Sequence, residues 1–431
     1  MGIKIKGSRR PLRGEIKVPA DKSISHRAVM FGAISDGKVD IDNFLMGEDC
    51  LSTVEAFRAL GIRIEQGRDA LTVHGNGLRG LKEPLSELYL GNSGTTMRVI
   101  SGILSGQGFD TVLTGDGSLS RRPMERVITP LRLMGVTIKG TGDGMHAPLY
   151  VNGTSGKLKH IHYDMPVASA QVKSCVLAAG LYADGPVSVG EPFISRDHTE
   201  RMLAHLSVDV RKEGRVTTLV PPEKLVPVDI TVPGDISSAA FFIAAALIVP
   251  GSDVLIRDVG LNPTRTGLLE VLRRMGADIS ISGFKDEGVE PCGDIRVRYG
   301  ALKGGTVKRH EIPLLIDEIP VFMVVAAFAS GMTRIEGAGE LKVKESDRVA
   351  SMKHDLSLLG VKMDEVGEDI IVEGGIKALR ASVLESFMDH RIAMSMLVAA
   401  LASDGECTIN DHECVAVSYP GFLGDLASLA G

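Results

Sequence analysis

Apolar and polar positions along the chain recur as one compound pattern. A helical stretch ends in an apolar pair and a small residue, and a strand follows. The pattern closes on Gly61, Gly135, Ser207, Gly276, Gly360 and Gly431, at intervals of 74, 72, 69, 84 and 71 residues. A small residue suits the position just past a helix, where the backbone wants positive φ. Within the first unit, 14–19 alternates as a strand and 22–34 has helical period; 39–45 and 48–61 repeat the pair, and 62–66 and 70–75 read as two further strands. The order is βαβαββ. The second unit repeats it over 88–153, and the others open at 165, 232, 314 and 388. Six such units make an α/β chain built by internal repetition.

The sixth unit runs out at Gly431 before its last two strands, while two strand-like pieces, 2–7 and 14–19, precede the first helix. The N-terminal piece is therefore expected to help complete the last unit. This predicts two lobes of three units each. One spans 20–229; the other joins 1–19 with 230–431. The chain crosses near 18–20 and 225–230, which makes a hinge there. A single solenoid of six stacked units is the plainer alternative.

The first helix of each unit is apolar nearly all round, as in 239–249, 321–329 and 394–402, and such helices are buried. Polar residues are confined to their starts: Lys22, Ser23 and Arg27; Asn92 to Thr95; Ser169 and Gln171; Asp235, Ser237 and Ser238; Asp317 and Glu318; Asp389, His390 and Arg391. The second helices open on Arg121-Arg122-Pro123, Ser195 to His198, Asn262 to Arg265 and Lys344 to Arg348. Ser, Asn and Asp there are ordinary N-caps. Lys22, Arg122, Arg196, Lys344 and Arg391 are not, because a cation at a helix start opposes the macrodipole. A bound anion relieves that conflict. The pattern points to small polyanionic ligands held between the lobes. Asp317, Glu318 and Glu345 among these cations are candidates for proton transfer, with a structural ion-pair network as the alternative.

Composition narrows the class. Of 431 residues, 48 are Lys or Arg and 54 Asp or Glu, giving a net charge of −6; Trp is absent and Tyr numbers 6. A net-acidic chain without a basic block argues against nucleic-acid binding. The longest apolar run, 239–249, is too short to span a bilayer. Five cysteines with no CxxC spacing fit reduced thiols in a cytoplasm. No secretory or lipidation signal opens the chain. The GxGxxG at 75–80 is followed by Pro84, which interrupts the helix that motif needs, and the GxxxxGK at 32–38 falls at a helix end with Val39 in place of the magnesium-binding hydroxyl. His160 and His162, and the run 411–413, lack a third element at fixed spacing and read as solvated surface rather than metal ligands.

Nine strings occur in order: DKSISHR at 21–27, LGNSGTTMR at 90–98, GDGSLSRRPM at 115–124, SAQVKS at 169–174, RDHTE at 196–200, NPTRTG at 262–267, IDE at 316–318, KESDR at 344–348 and DHRIAMS at 389–395. With them the chain resembles the 3-phosphoshikimate 1-carboxyvinyltransferases, or EPSP synthases, and SAQVK, RDHTE and NPTR resemble the class II branch. The resemblance implies two lobes of three βαβαββ units closing on ligands. The 20–229 lobe takes mainly shikimate 3-phosphate, and the other completes the phosphoenolpyruvate site. It implies transfer of the enolpyruvyl group of phosphoenolpyruvate to the 5-hydroxyl of shikimate 3-phosphate with release of phosphate, in a cytoplasmic monomer using no metal or organic cofactor.

The same resemblance implies roles. Lys22, Asp317, Glu345 and, in support, His390 are the catalytic candidates. Lys22, Ser23, Arg27, Ser169, Gln171, Ser195, Arg196, Asp317 and Lys344 bind shikimate 3-phosphate. Lys22, Gly94, Arg122, Gln171, Arg348 and Arg391 bind phosphoenolpyruvate. Two departures stand out: Ala20 replaces a frequent Gly, and Val417 stands where another branch has a Lys on the phosphoenolpyruvate side. Gly94 rather than Ala implies that the analogue glyphosate fits. UDP-N-acetylglucosamine enolpyruvyl transferase is the nearest alternative, but the reactive Cys of that family is missing from 115–122. A non-catalytic anion-binding protein on the same scaffold is the other.

Overall fold

The computed structural model describes residues 2–8 and 10–430. Each repeat contributes one small sheet. Among the described residues, five sheets have four strands and one has three. Within a four-stranded sheet, a short edge strand runs parallel to its neighbour and two longer strands follow antiparallel. In the second unit, for instance, Leu88–Tyr89 pairs parallel with Asp110–Thr114, which pairs antiparallel with His146–Asn152, itself beside Thr137–Thr141. This is the βαβαββ order expected from the sequence.

The small residues do close the helices. Gly61, Gly135, Gly276 and Gly360 take φ between +84° and +97°, and Ser207 takes +66°. Gly431, the sixth member, lies outside the described residues. The first helices are Lys22–Ala33, Gly94–Ser105, Ala170–Gly180, Ile236–Ile248, Ile319–Phe328 and His390–Leu401. All thirteen residues of Ile236–Ile248 and all twelve of His390–Leu401 are buried, as apolar character all round requires.

Contacts divide the chain into two units. One comprises 1–19, 233–286 and 291–431, the other 20–232 and 287–290. Each has its own core. In the first, the helices Ile236–Ile248, Ile319–Phe328 and His390–Leu401 pack against one another. In the second, Lys22–Ala33, Gly94–Ser105 and Ala170–Gly180 lie in one apolar cluster. That cluster includes Val289 of the 287–290 segment, and His198 Nδ1 lies 2.6 Å from Glu290 Oε1.

Strand partners differ from the reading in one place. Ile3–Lys6 does complete the sixth sheet, antiparallel to Glu406–Asn410. The stretch read as the opening strand of the first unit, 14–19, does not pair there: Arg13–Lys17 lies parallel to Asp253–Gly260 in the fourth unit's sheet. The first sheet is filled instead by Ile230–Thr231, parallel to Lys38–Asp42. A period of two identifies a strand but not its neighbour. No helix among the described residues is long and apolar enough to cross a membrane.

Candidate active site

In the unit containing 20–232, the expected residues gather at helix starts. Asp21 caps Lys22–Ala33 by accepting from Ile24 N at 3.0 Å. Lys22, the first helical residue, donates to Asp49 Oδ2 at 3.0 Å, and both side chains are mostly buried. Arg27, one turn on, is 3% exposed. Its Nε donates to Thr199 Oγ1 at 2.7 Å and its Nη2 to Ser174 Oγ at 2.8 Å, so one guanidinium ties three helices together. Its Nη1 donates to the Ser23 carbonyl at 2.9 Å. Burial lowers the Arg27 pKa to about 10, still a cation at neutral pH. Next to it His26 is fully enclosed, and burial drives its pKa down to about 3. It stays neutral, with Nδ1 2.7 Å from Thr53 Oγ1.

Gly94 opens the next helix, which Ser93 caps. A Cβ at Gly94 would lie 2.8 Å from Arg98 Nη1 and 3.2 Å from Arg122 Nη1. The missing side chain lets two guanidinium tips approach the helix start. Arg122 is held by Asn92, donating to its side-chain oxygen and to its carbonyl. Arg98 donates to Gln171 Oε1 at 2.7 Å, and Gln171 Nε2 donates to Thr95 Oγ1 at 2.9 Å. Ser169 caps the Ala170–Gly180 helix.

Ser195 is less open than a ligand-binding hydroxyl would suggest. It is 2% exposed and donates to Glu191 Oε2 at 2.6 Å. Behind it Lys173, fully buried, reaches Glu200 Oε1 at 2.7 Å and Glu191 Oε1 at 3.0 Å. Burial works against its charge, but Glu200 and Glu191 outweigh it and raise the pKa. Arg196 is partly buried two residues ahead of the His198–His205 helix.

In the other unit the expected residues converge on one guanidinium. Arg348 is 0% exposed. Its Nε donates to Asp389 Oδ2 at 2.8 Å, its Nη1 to Asp317 Oδ1 at 3.3 Å and its Nη2 to Glu345 Oε2 at 2.6 Å. Burial opposes its charge, yet the three carboxylates raise its pKa. Burial would raise Asp389, but Arg348 holds its pKa below the usual carboxylate range. Asp389 also caps His390–Leu401 by accepting from Arg391 N at 2.9 Å. Arg391 Nη1 donates to the Asp317 carbonyl at 3.0 Å, and its Nη2 lies 3.8 Å from Asp317 Oδ2. His390 is buried; Lys344 is half-buried at the end of the 339–343 turn. Glu318, beside Asp317, faces a different cluster: it accepts from Ser237 Oγ and lies 3.5 Å from Arg265 Nη2.

The cations at helix starts are thus opposed in part by the protein's own carboxylates. Asp49 and Arg98 were absent from the expected set, and Asp389 entered it only as a helix-start residue without a role at the site. Arg98 stands inside the LGNSGTTMR string, four residues after Gly94, which places it on the same helix face. Nothing local signals that Asp49 would meet Lys22.

The family model for EPSP synthase (3-phosphoshikimate 1-carboxyvinyltransferase) matches residues 6–426. The chain belongs to the EPSP synthase family. It is 51% identical to the 3-phosphoshikimate 1-carboxyvinyltransferase of Methylococcus capsulatus over 97% of this chain and 95% of that one. It is 48% identical to that of Bacillus cytotoxicus over 97% and 98%. The solved EPSP synthase from Acinetobacter baumannii superposes with a TM-score of 0.88 at 48% identity, over 99% and 98% of the two chains. The activity is enolpyruvyl transfer in the shikimate pathway and the fold is that of the EPSP synthases, both as the resemblance implied.

Proposed function

We propose that the chain moves the enolpyruvyl group of phosphoenolpyruvate to the 5-hydroxyl of shikimate 3-phosphate with the residues just described. The observation that carries the assignment of groups is Arg348, buried and bonded at once to Asp317, Glu345 and Asp389. Acids crowded on one cation, next to a second cation in Arg391, supply both proton acceptors and anion donors.

Addition and elimination follow from the bonds involved. The 5-hydroxyl oxygen attacks C2 of phosphoenolpyruvate as Asp317 takes its proton. The methylene C3 gains a proton, giving a tetrahedral ketal that carries methyl, carboxylate, phosphate and the shikimate 5-oxygen. The C2–O bond to phosphate then breaks as the methyl loses a proton, and the vinyl ether and inorganic phosphate leave. Lys22 and Glu345 are the groups for the C3 proton, with His390 in support. Arg122, Arg348 and Arg391 hold the phosphate and carboxylate of phosphoenolpyruvate, where forked donors match both anions. Gly94 and Gln171 border that anion. Ser23, Arg27, Ser169, Gln171, Ser195, Arg196 and Lys344 bind shikimate 3-phosphate; for Ser195 this uses its oxygen lone pairs, since its proton is engaged. The 20–229 segment carries mainly this second substrate and the remainder the first. The chain is proposed to act as a cytoplasmic monomer, which light scattering of the purified protein tests for oligomeric state.

Turnover in D₂O tests the chemistry. A methyl intermediate that loses either isotope places deuterium in the vinyl group of the product. A product free of vinyl deuterium contradicts addition and elimination.

A further inference from the structure

Outside the contacts described, a buried carboxylate lies on the Arg348–Leu358 helix. Asp355 is 0% exposed and its Oδ2 has no hydrogen-bond partner among the described residues. Its Oδ1 accepts from Glu385 N at 3.2 Å and lies 3.1 Å from His354 Nδ1. Asp355 stands seven residues after Arg348, two helical turns on, so both share one face. They grip the same segment at its two ends. Asp355 holds Glu385, the last residue of the strand Val383–Glu385, and Arg348 holds Asp389, the cap of the next helix.

The turn between these two grips is strained. Phe387 and Met388 are consecutive non-glycine residues at φ +51° and +56°, a conformation that persists only where surrounding contacts enforce it. Those contacts centre on Ser386. Met388 N donates to Ser386 Oγ at 3.1 Å, and Asp389 N donates to the Ser386 carbonyl at 2.9 Å. Ser386 Oγ donates to the Asp411 carbonyl at 3.1 Å. The Phe387 ring stands edge-on to His354, centroids 5.6 Å apart, and the residue is 40% exposed.

We infer that Asp355, with His354, is a positioning residue: it anchors the strained 386–388 turn and thereby fixes Asp389 against Arg348, setting the phosphoenolpyruvate-binding geometry. The inference rests on the assignment of Arg348 to that substrate. Burial raises the Asp355 pKa to about 6, which accords with a carboxylate kept in an apolar setting for its contacts. Among the described residues, the Asp355 side chain bonds to His354 and Glu385, neither of them expected to hold substrate.

The test compares Asp355→Ala, Asp355→Asn and His354→Ala by steady-state kinetics at pH 7.5, with shikimate 3-phosphate affinity measured by calorimetry. Asp355→Ala should raise the KM for phosphoenolpyruvate about tenfold, within the range that small misplacements cost, and leave shikimate 3-phosphate affinity unchanged. Asp355→Asn keeps an acceptor for Glu385 N and should stay within about twofold of the native KM, because that bond persists. His354→Ala, whose side chain is half-exposed, should fold and raise the same KM severalfold. A folded Asp355→Ala with native KM overturns the inference, as does a parallel loss of both substrates. If Asp355→Ala does not fold, a native KM in His354→Ala overturns it. Arg348→Lys, run alongside, separates the two layers. If it leaves the phosphoenolpyruvate KM unchanged, the site assignment itself fails; if it raises the KM while the Asp355 and His354 variants do not, only the anchoring role fails.

Discussion

Replacing Gly94 with Ala isolates the effect of one methyl group at a helix start. The new Cβ would stand 2.8 Å from Arg98 Nη1 and 3.2 Å from Arg122 Nη1, so both guanidinium tips must retreat by a few tenths of an ångström. Each is the end of a flexible side chain, and an off-rotamer adjustment costs about 0.5–1.5 kcal/mol. Ala in place of Gly returns up to about 1 kcal/mol of helix propensity, less at the first turn. Folding stability should therefore fall by no more than about 3 kcal/mol. Anion binding has no such compensation. Arg122 is held by two contacts to Asn92, and moving its tip should raise the KM for phosphoenolpyruvate about tenfold, equivalent to about 1.4 kcal/mol. The KM for shikimate 3-phosphate should not move. Glyphosate should inhibit the native protein and lose potency against Gly94→Ala. Thermal unfolding, both KM values and a glyphosate titration on the two proteins make the assay. An unchanged phosphoenolpyruvate KM, or equal glyphosate resistance in both proteins, refutes the steric argument.

Other substitutions probe separate parts of the structure. Asp317→Ala should fold, bind shikimate 3-phosphate with native affinity and lose about 10²–10⁴-fold in kcat, the usual yield of a positioned proton acceptor; near-native kcat would remove Asp317 from that role. Lys173→Met should cost about 3–5 kcal/mol in urea unfolding, because it leaves Glu191 and Glu200 buried without their cation; a loss below about 1 kcal/mol contradicts the pairing. For Asp355 the sign is set by a folded pKa of about 6 above the ordinary value. The folded protein keeps the proton while the unfolded chain releases it, so this stabilisation is complete below pH 4 and lost as pH rises through 6, by up to roughly 3 kcal/mol. Urea unfolding of native protein and Asp355→Asn from pH 4 to 7 reads that slope as a difference, and equal slopes would show that Asp355 does not cause it.

Much of the fold could be read from spacing because two local signals repeat. Glycine at positive φ closes the helices at Gly61, Gly135, Gly276 and Gly360, and uninterrupted apolar helices such as Ile236–Ile248 leave no choice but burial. Strand exchange was not readable. Arg13–Lys17 and Ile230–Thr231 join sheets more than 180 residues away in sequence, and their short alternating patterns carry no mark of a partner. The site divides in the same way. Charged residues confined to the starts of buried helices exposed Lys22, Arg122, Arg196, Lys344 and Arg391 as chemically unusual. Their counter-charges stayed hidden, since Asp49 and Asp389 look like ordinary helix-start carboxylates until the fold brings them to a cation. Lys173 was concealed within the SAQVKS string: nothing local signals that it would be buried or that Glu191 and Glu200 would meet it.

Phosphate release from phosphoenolpyruvate by the purified protein, with no added metal, tests the central claim most directly. Shikimate 3-phosphate and UDP-N-acetylglucosamine are offered in separate reactions. Release with shikimate 3-phosphate alone is the predicted result. Release with the nucleotide sugar alone, or with neither acceptor, would contradict it.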